Sequence, residues 1–162
     1  MIADYRRLLG ALTEHHVDFV VVGAVALVLH GSARVTRDLD VAYARDAANL
    51  KRLARALAPF RPTLRGAPAA LPFALDAATL RGGLNFTLTS SAGDLDLLSD
   101  ITGLGGYDIV ARLSEVMRVY GHEVRVLSLD GLERAKRAAG RLKDLADLEE
   151  ILRLRQLTDA DD

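Results

Sequence analysis

The chain has 162 residues, of which 50% are hydrophobic, and a formal net charge of −1. This length fits one domain with a real core, and the charge argues against binding a polyanion by bulk electrostatics. No cysteine is present, which excludes disulfides and zinc–thiolate sites. The apolar run 17–29 is too short and too broken to span a bilayer, and no cleavable leader is evident. We therefore expect a cytoplasmic protein without membrane contact.

The first part of the chain is predicted to alternate helices with buried strands. Helical spacing of apolar residues, or a β-branched run, predicts each element: a helix over 2–16, a strand over 19–22, a short helix over 24–30, a strand over 39–43 and a helix over 47–57. All four prolines fall between Pro59 and Pro72, so this stretch is expected to be irregular, either covering a site or simply connecting two elements.

The second part is predicted to add more strands and two helices. The expected elements are strands over 84–88 and 95–98, a hairpin of 116–120 with 123–127 around Gly121-His122, and helices over 129–139 and 142–152. Residues 158–162 are expected to form a flexible tail, so the domain is taken as 1–157. The fold class is α/β (α+β), with a short mixed β-sheet flanked by helices in a single domain.

Two acids on one predicted strand are the most informative feature of the sequence. In Asp38-Leu39-Asp40-Val41, alternation along the strand places both carboxylates on the same face. Side by side they repel each other, and a cation between them removes that repulsion; oxygen ligands suit Mg²⁺. The plain structural alternative is a strand whose acids face solvent.

A candidate for a third acid lies further along, in Asp94-Leu95-Asp96-Leu97, where acids and leucines alternate in the same way. Asp94 and Asp96 share one face of the predicted strand, so spacing alone leaves the choice between them open. Three carboxylates can hold two Mg²⁺ ions, an arrangement that stabilises both oxygens of an in-line phosphoryl displacement. One of the acids could also act as the general base for an attacking hydroxyl.

A glycine turn and a basic segment could bind the phosphates. Gly23 breaks the first strand, and backbone amides at the start of the following helix favour an anion. Five basic residues and no acid lie between Arg134 and Lys143: Arg134, Lys136, Arg137, Arg141 and Lys143. This segment is either a solvated helix face or a wall that neutralises phosphate charge.

Together these motifs resemble the DNA polymerase β-like nucleotidyltransferase superfamily. Val22-Gly23-Ala24 is followed after thirteen residues by Asp38-Leu39-Asp40-Val41 and later by Leu95-Asp96-Leu97. The local sequence motifs most closely resemble those of small prokaryotic nucleotidyltransferases, including AbiEii-like and MenT-like toxins of type IV toxin–antitoxin systems. The residues that carry this closer likeness are Gly23, Ala26, His30, Gly31, Arg34, Thr36, Asp38, Asp40, Lys136 and Gly140-Arg141-Leu142-Lys143-Asp144.

The resemblance implies a role for each acid and for the glycine turn. Asp38 and Asp40 would bind the metals that carry a nucleoside triphosphate (NTP) such as ATP. Asp96 would be the third ligand and would activate the acceptor hydroxyl; it is preferred to Asp94 because the family places its acid in that slot. Gly23 and the amides after it, including that of Ala24, would cradle the phosphates.

The basic residues would neutralise the triphosphate or pyrophosphate. The resemblance assigns this to Lys136 and Lys143, with Arg141 and Asp144 as adjacent candidates that could pair with each other. Arg34 would either bind a phosphate or brace Asp38 through an ion pair.

The implied reaction moves a nucleoside monophosphate from an NTP to an acceptor hydroxyl, with two Mg²⁺ ions as cofactors. The acceptor could be a tRNA end, a protein side chain or a small molecule, and a toxin would have an antitoxin protein as its partner. Ala24 stands where the family often has serine or glycine, and it cannot supply a serine hydroxyl. Two alternatives therefore remain: a catalytically silent module that binds a nucleotide or a partner, and an antibiotic nucleotidyltransferase.

Overall fold

The computed structural model of the protein describes residues 3–68 and 70–161. The helices are α1 (Tyr5–Glu14), α2 (Gly23–Leu29), α3 (Ala47–Leu57), α4 (Ala77–Gly82), α5 (Tyr107–Arg112), α6 (Leu129–Ala139) and α7 (Asp144–Asp161). The strands are β1 (Phe19–Val22), β2 (Asp38–Tyr43), β3 (Thr63–Leu64), β4 (Phe86–Ser90), β5 (Gly93–Leu98), β6 (Asp100–Ile101), β7 (Gly105–Gly106), β8 (Ser114–Val119) and β9 (His122–Leu127). A 3₁₀ turn, Ala58–Phe60, follows α3.

Seven of these strands form one mixed sheet in the order β3-β4-β5-β2-β1-β9-β8. The central pairs β2–β5 and β1–β9 are parallel, whereas β1–β2 and the outer pairs are antiparallel. β6 and β7 form a separate two-stranded ribbon. The parallel pairing of β2 with β5 matters most for function, because it aligns the two acid-bearing strands side by side.

The core lies between the sheet and the helices. All four residues of β1 are buried, in keeping with its uninterrupted apolar sequence of one phenylalanine and three valines. The amphipathic helices α1 and α3 bury leucines at helical spacing, among them Leu8, Leu12, Leu53 and Leu57, each at most 1% exposed. The short α2 leads directly out of β1, so the end of β1 and the start of α2 meet the acidic strand β2.

The mixed sheet with flanking helices confirms the predicted fold class. The strand over 19–22 and the helices over 47–57 and 129–139 agree with the structure residue for residue. Each of these helices begins after a side chain that accepts a hydrogen bond from an amide of the first turn, Asp46 for α3 and Ser128 for α6. Periodicity and capping therefore identify these elements from sequence alone.

The structure corrects the prediction for the proline-rich stretch. Instead of being wholly irregular, 59–72 contains most of the 3₁₀ turn and the edge strand β3. Two short helices, α4 and α5, were not predicted. The hairpin turn lies at Tyr120-Gly121, one residue before the predicted position; both residues have positive φ, 50° and 82°, as a two-residue hairpin turn requires.

The ends of the chain also differ from the prediction. The first helix begins at Tyr5, and Ile2, its predicted start, lies outside the described residues. The last helix begins at Asp144, two residues after its predicted start, and continues to Asp161. The flexible tail over 158–162 stays a prediction, and Asp162 is not described. Within the described ranges, each helix is too short or too polar to cross a membrane.

Candidate active site

Four carboxylates lie together on one face of the sheet. The parallel register of β2 and β5 pairs Asp38 with Asp94, and Asp40 with Asp96. Since side chains two residues apart share a face, all four point the same way. The predicted meeting of Asp38, Asp40 and Asp96 is therefore present, and Asp94 joins them.

An arginine that the sequence analysis did not identify lies among these acids. Arg65 follows the edge strand β3, and its Nη2 donates a hydrogen bond to Asp96 Oδ1 at 2.8 Å. Its Nε lies 3.2 Å from Asp94 Oδ2, and its Nη1 lies 3.9 Å from Asp38 Oδ2. One guanidinium thus contacts three of the four carboxylates. Nothing in the local sequence marks Arg65, because its role depends on the pairing of β3 with β4.

Among the four carboxylates, Asp40 has the negative charge that nearby cations and hydrogen bonds balance least. Burial, followed by the charges of Asp96 and Asp38, raises its pKa to about 7, although Lys136 and Arg65 act in the opposite direction. Its Oδ1 atom is buried and has no hydrogen-bond partner among the described residues. A buried oxygen without a hydrogen-bond partner lowers the stability of the folded protein. A proton or a bound cation at this atom would remove that cost.

Gly23 makes the close packing against Asp40 feasible. Val22 pairs with Asp40 across β1 and β2, and Gly23 follows in the left-handed region with φ 67°. A Cβ atom at this position would lie 2.5 Å from Asp40 Oδ2, so a side chain here would displace the carboxylate. The predicted close backbone approach is present, and its neighbour is Asp40; the phosphate cradle stays a prediction.

A cavity of about 480 Å³ opens beside Asp40. It is lined on one side by the end of β1 and by Asp40, and on the other by α6, including Lys136 and the nearby Arg141. A second recess of about 330 Å³ also includes Asp40 in its lining, together with Ala24, Arg34, Val35, Thr36, Arg37 and Asp38. Asp40 therefore borders both openings.

Lys136 is held in place by two aspartates of α7. Its Nζ lies 3.3 Å from Asp144 Oδ1 and 2.9 Å from Asp147 Oδ2. Asp144 is 1% exposed, and it also accepts hydrogen bonds from the backbone and side chain of Arg141. The hydrogen bond from the Arg141 side chain is the main reason why the pKa of Asp144 falls to about 2. The predicted pairing of Arg141 with Asp144 is thus present.

Arg34 contacts the same aspartate network and not Asp38. Its guanidinium forms an ion pair with Asp147. Burial opposes ionisation of Asp147, yet hydrogen bonds from Lys136 and Arg34 keep the pKa of this carboxylate below its usual value. This pairing ties the segment before β2 to the start of α7, on the side of Asp40 where the second recess lies.

Two further residues from the sequence motif lie elsewhere. Lys143 is exposed and lines neither of the two recesses beside Asp40. His30 is structural: its Nε2 lies 2.8 Å from the Leu127 carbonyl oxygen, to which it can donate, and its side chain is 8% exposed. His30 thus fastens the end of α2 to the end of β9.

The carboxylates offer a partial metal site. Within residues 3–68 and 70–161, no three His, Cys, Asp or Glu side chains are arranged to hold a metal ion. Arg65 lies among three of the four acids. Asp38 and Asp40, with the unpartnered Oδ1, still fit Mg²⁺, which proteins often hold by one or two carboxylates together with substrate phosphates.

Comparison with known proteins supports the fold. No known protein family and no curated protein matches the sequence. Among solved structures, the chain is similar to a putative nucleotidyltransferase from Thermotoga maritima, with 17% identity and a TM-score of 0.57 over 94% of this chain and 96% of that one. It is also similar to an antigenic nucleotidyltransferase-like protein from Paracoccidioides brasiliensis, with 14% identity and a TM-score of 0.57 over 96% and 78% of the two chains. The protein therefore has the nucleotidyltransferase fold.

Proposed function

We propose that the protein is a metal-dependent nucleotidyltransferase of the DNA polymerase β-like superfamily. It would transfer a nucleoside monophosphate from ATP or another NTP to an acceptor hydroxyl. The observation that carries this proposal is the buried, unpartnered Oδ1 of Asp40, a residue that lies next to Asp38 and lines the same cavity as Lys136. The nucleotidyltransferase fold supports it independently.

Asp38 and Asp40 are the residues that would hold Mg²⁺. A bound Mg²⁺ supplies charge neutralisation and orientation for the triphosphate. Two features of the protein would favour this binding: Asp38 and Asp40 share one face of β2, and Asp40 packs closely against Gly23. Because burial raises the pKa of Asp40, a divalent cation should bind in competition with a proton at this residue.

The protein's other contributions are positioning and charge. In the proposed reaction the acceptor oxygen bonds to the α-phosphorus, the bond from that phosphorus to the bridging oxygen breaks, and pyrophosphate leaves. Lys136, fixed by Asp144 and Asp147, would neutralise the departing phosphates, with Arg141 beside it at the cavity wall. The hydroxyl proton would pass to Asp96, a carboxylate whose pKa is raised by burial.

The acceptor is proposed only by class. A tRNA end, a protein side chain and a small molecule all offer a hydroxyl, and the resemblance to AbiEii-like and MenT-like proteins favours a toxin with an antitoxin partner. The two openings that Asp40 lines suit a reaction with two substrates, one in each opening.

One alternative has specific support. Arg65 already neutralises part of the acidic cluster, and Ala24 lacks a hydroxyl for phosphate. Both features would be compatible with a catalytically silent module that binds a nucleotide or a partner. Such a module would need no metal. Metal dependence therefore separates the two functions.

Binding of an NTP to the wild type and to Asp38→Asn, with and without Mn²⁺, tests the proposal. We expect Mn²⁺ to strengthen NTP binding in the wild type but not in the variant. Asp159→Asn, an exposed aspartate of α7, is the matched control and should behave like the wild type. Equal NTP binding by the wild type and Asp38→Asn under both conditions would refute the metal site and favour the silent module.

A further inference from the structure

We propose that Arg65 is a resident cation of the carboxylate cluster. Its guanidinium stands in for a second divalent ion beside Asp94 and Asp96, so that the site binds one metal ion, at Asp38 and Asp40. This inference rests on the proposed function, which requires a metal, and it replaces the two ions expected from the family resemblance with one ion and one arginine.

The contacts of the guanidinium are those of a ligand-like cation. Its Nη2 donates to Asp96 at 2.8 Å and its Nε lies 3.2 Å from Asp94. Asp38 lies further away, 3.9 Å from Nη1, and Asp40 is absent from the ion pairs of Arg65. The arginine therefore lies mainly on the β5 side of the cluster, and on the β2 side it reaches only Asp38, at the longest of its three ion-pair distances.

Arg65 is anchored to the sheet by its backbone as well as by its side chain. Its backbone N–H donates to the Thr87 carbonyl at 3.0 Å, and Nη2 also donates to the Leu88 carbonyl at 2.7 Å. The side chain is 29% exposed. An arginine held at both ends by β4 is a fixed part of the site, unlike a surface side chain that folds over an empty space.

The position of Arg65 beside Asp94 and Asp96 favours one additional cation over two. Arg65 forms ion pairs with Asp94 and Asp96. Its buried Nε makes no hydrogen bond to a described residue, and Asp40 keeps an unpartnered buried oxygen. A second divalent ion at Asp96 would have to share a carboxylate with the guanidinium at a separation of a few ångströms. Repulsion between cations at such a distance is strong in a partly buried site. The planar fork of arginine also matches two neighbouring carboxylates better than a lysine would.

Counting bound Mn²⁺ by electron paramagnetic resonance tests this inference directly. The samples are the wild type, Arg65→Gln and Arg61→Gln, each with a non-hydrolysable NTP analogue. Arg61 is exposed and lies on the same segment, so its replacement removes the same charge outside the cluster. We expect about one Mn²⁺ per chain in the wild type and in Arg61→Gln, and about two in Arg65→Gln, the number that three or more carboxylates can hold.

Each outcome has a definite meaning. About two Mn²⁺ in the wild type, or about one in a folded Arg65→Gln, would overturn the inference and leave the proposed function intact. No Mn²⁺ in any of the proteins would overturn the proposed function itself. If Arg65→Gln does not fold, the wild-type count still decides, and Arg65→Lys, which keeps a cation in place, should bind the same number as the wild type.

Discussion

Replacing Gly23 with alanine tests how the turn and Asp40 depend on each other. The positive φ of 67° costs an alanine about 1–2 kcal/mol. The new methyl group would also lie 2.5 Å from Asp40 Oδ2, and overpacking of this kind adds about 1–3 kcal/mol. We therefore expect the free energy of unfolding to fall by roughly 2–5 kcal/mol.

Gly121→Ala provides the matched control. Gly121 also has a positive φ, 82°, but a Cβ there would meet nothing within 4 Å. The control should lose only the backbone component, about 1–2 kcal/mol, and both variants can be compared by urea denaturation. We expect that Gly23→Ala, unlike Gly121→Ala, also loses Mn²⁺-dependent NTP binding. Equal destabilisation of the two variants, or unchanged binding in Gly23→Ala, would refute it.

Three further predictions concern charge and burial. Burial raises the pKa of Asp40 to about 7 in the folded protein, against an ordinary value of 3.8. Between these two pH values the folded protein therefore keeps a proton on Asp40 that the unfolded chain has lost. Without metal, the free energy of unfolding should fall as pH rises from about 4 to 7, by at most about 4 kcal/mol. Asp40→Asn should flatten this decline in urea titrations, and parallel curves would contradict it. Lys136→Ala should weaken NTP binding about tenfold, on the order of 1.4 kcal/mol, and more than Lys143→Ala does in the same titration. Asn49→Ala should cost about 2–3 kcal/mol in urea denaturation, since fully buried Asn49 bonds the backbone of Asp18 and Ala44; a loss under about 0.5 kcal/mol would contradict that role.

Local sequence patterns were sufficient to predict the strongly periodic elements. The run Phe19–Val22 and the helix Ala47–Leu57 carry their burial pattern in the sequence itself, and the structure agrees with both. Two-residue strands such as β3 leave no such pattern, and short helices such as α4 are set by caps and tertiary contacts. The proline-rich stretch was therefore predicted without its edge strand.

The candidate site divides in the same way. Alternation within one strand predicted that Asp38 and Asp40 share a face, and the same rule left Asp94 and Asp96 equivalent. Only the register of β2 with β5 shows that all four meet. Arg65 could not be predicted, because it reaches the cluster through the pairing of β3 and β4, a long-range contact with no local signature.

The basic residues show what a motif cannot specify. The pairing of Arg141 with Asp144 is a local contact between the turn before α7 and the first residue of that helix. By contrast, the partner of Arg34 is Asp147, which is 113 positions away and is brought close only by the packing of α7. The motif thus indicated that Arg34 lies near the site, but it did not identify the ion-pair partner of Arg34.

Transfer of a radiolabelled α-phosphate tests the central proposal most directly. The protein would be incubated with Mg²⁺, each labelled NTP in turn and total tRNA or cell lysate as the source of acceptor. We expect a labelled acceptor with the wild type, and none with Asp38→Asn or when the metal is chelated. Transfer that persists equally in Asp38→Asn or in the presence of the chelator would contradict it.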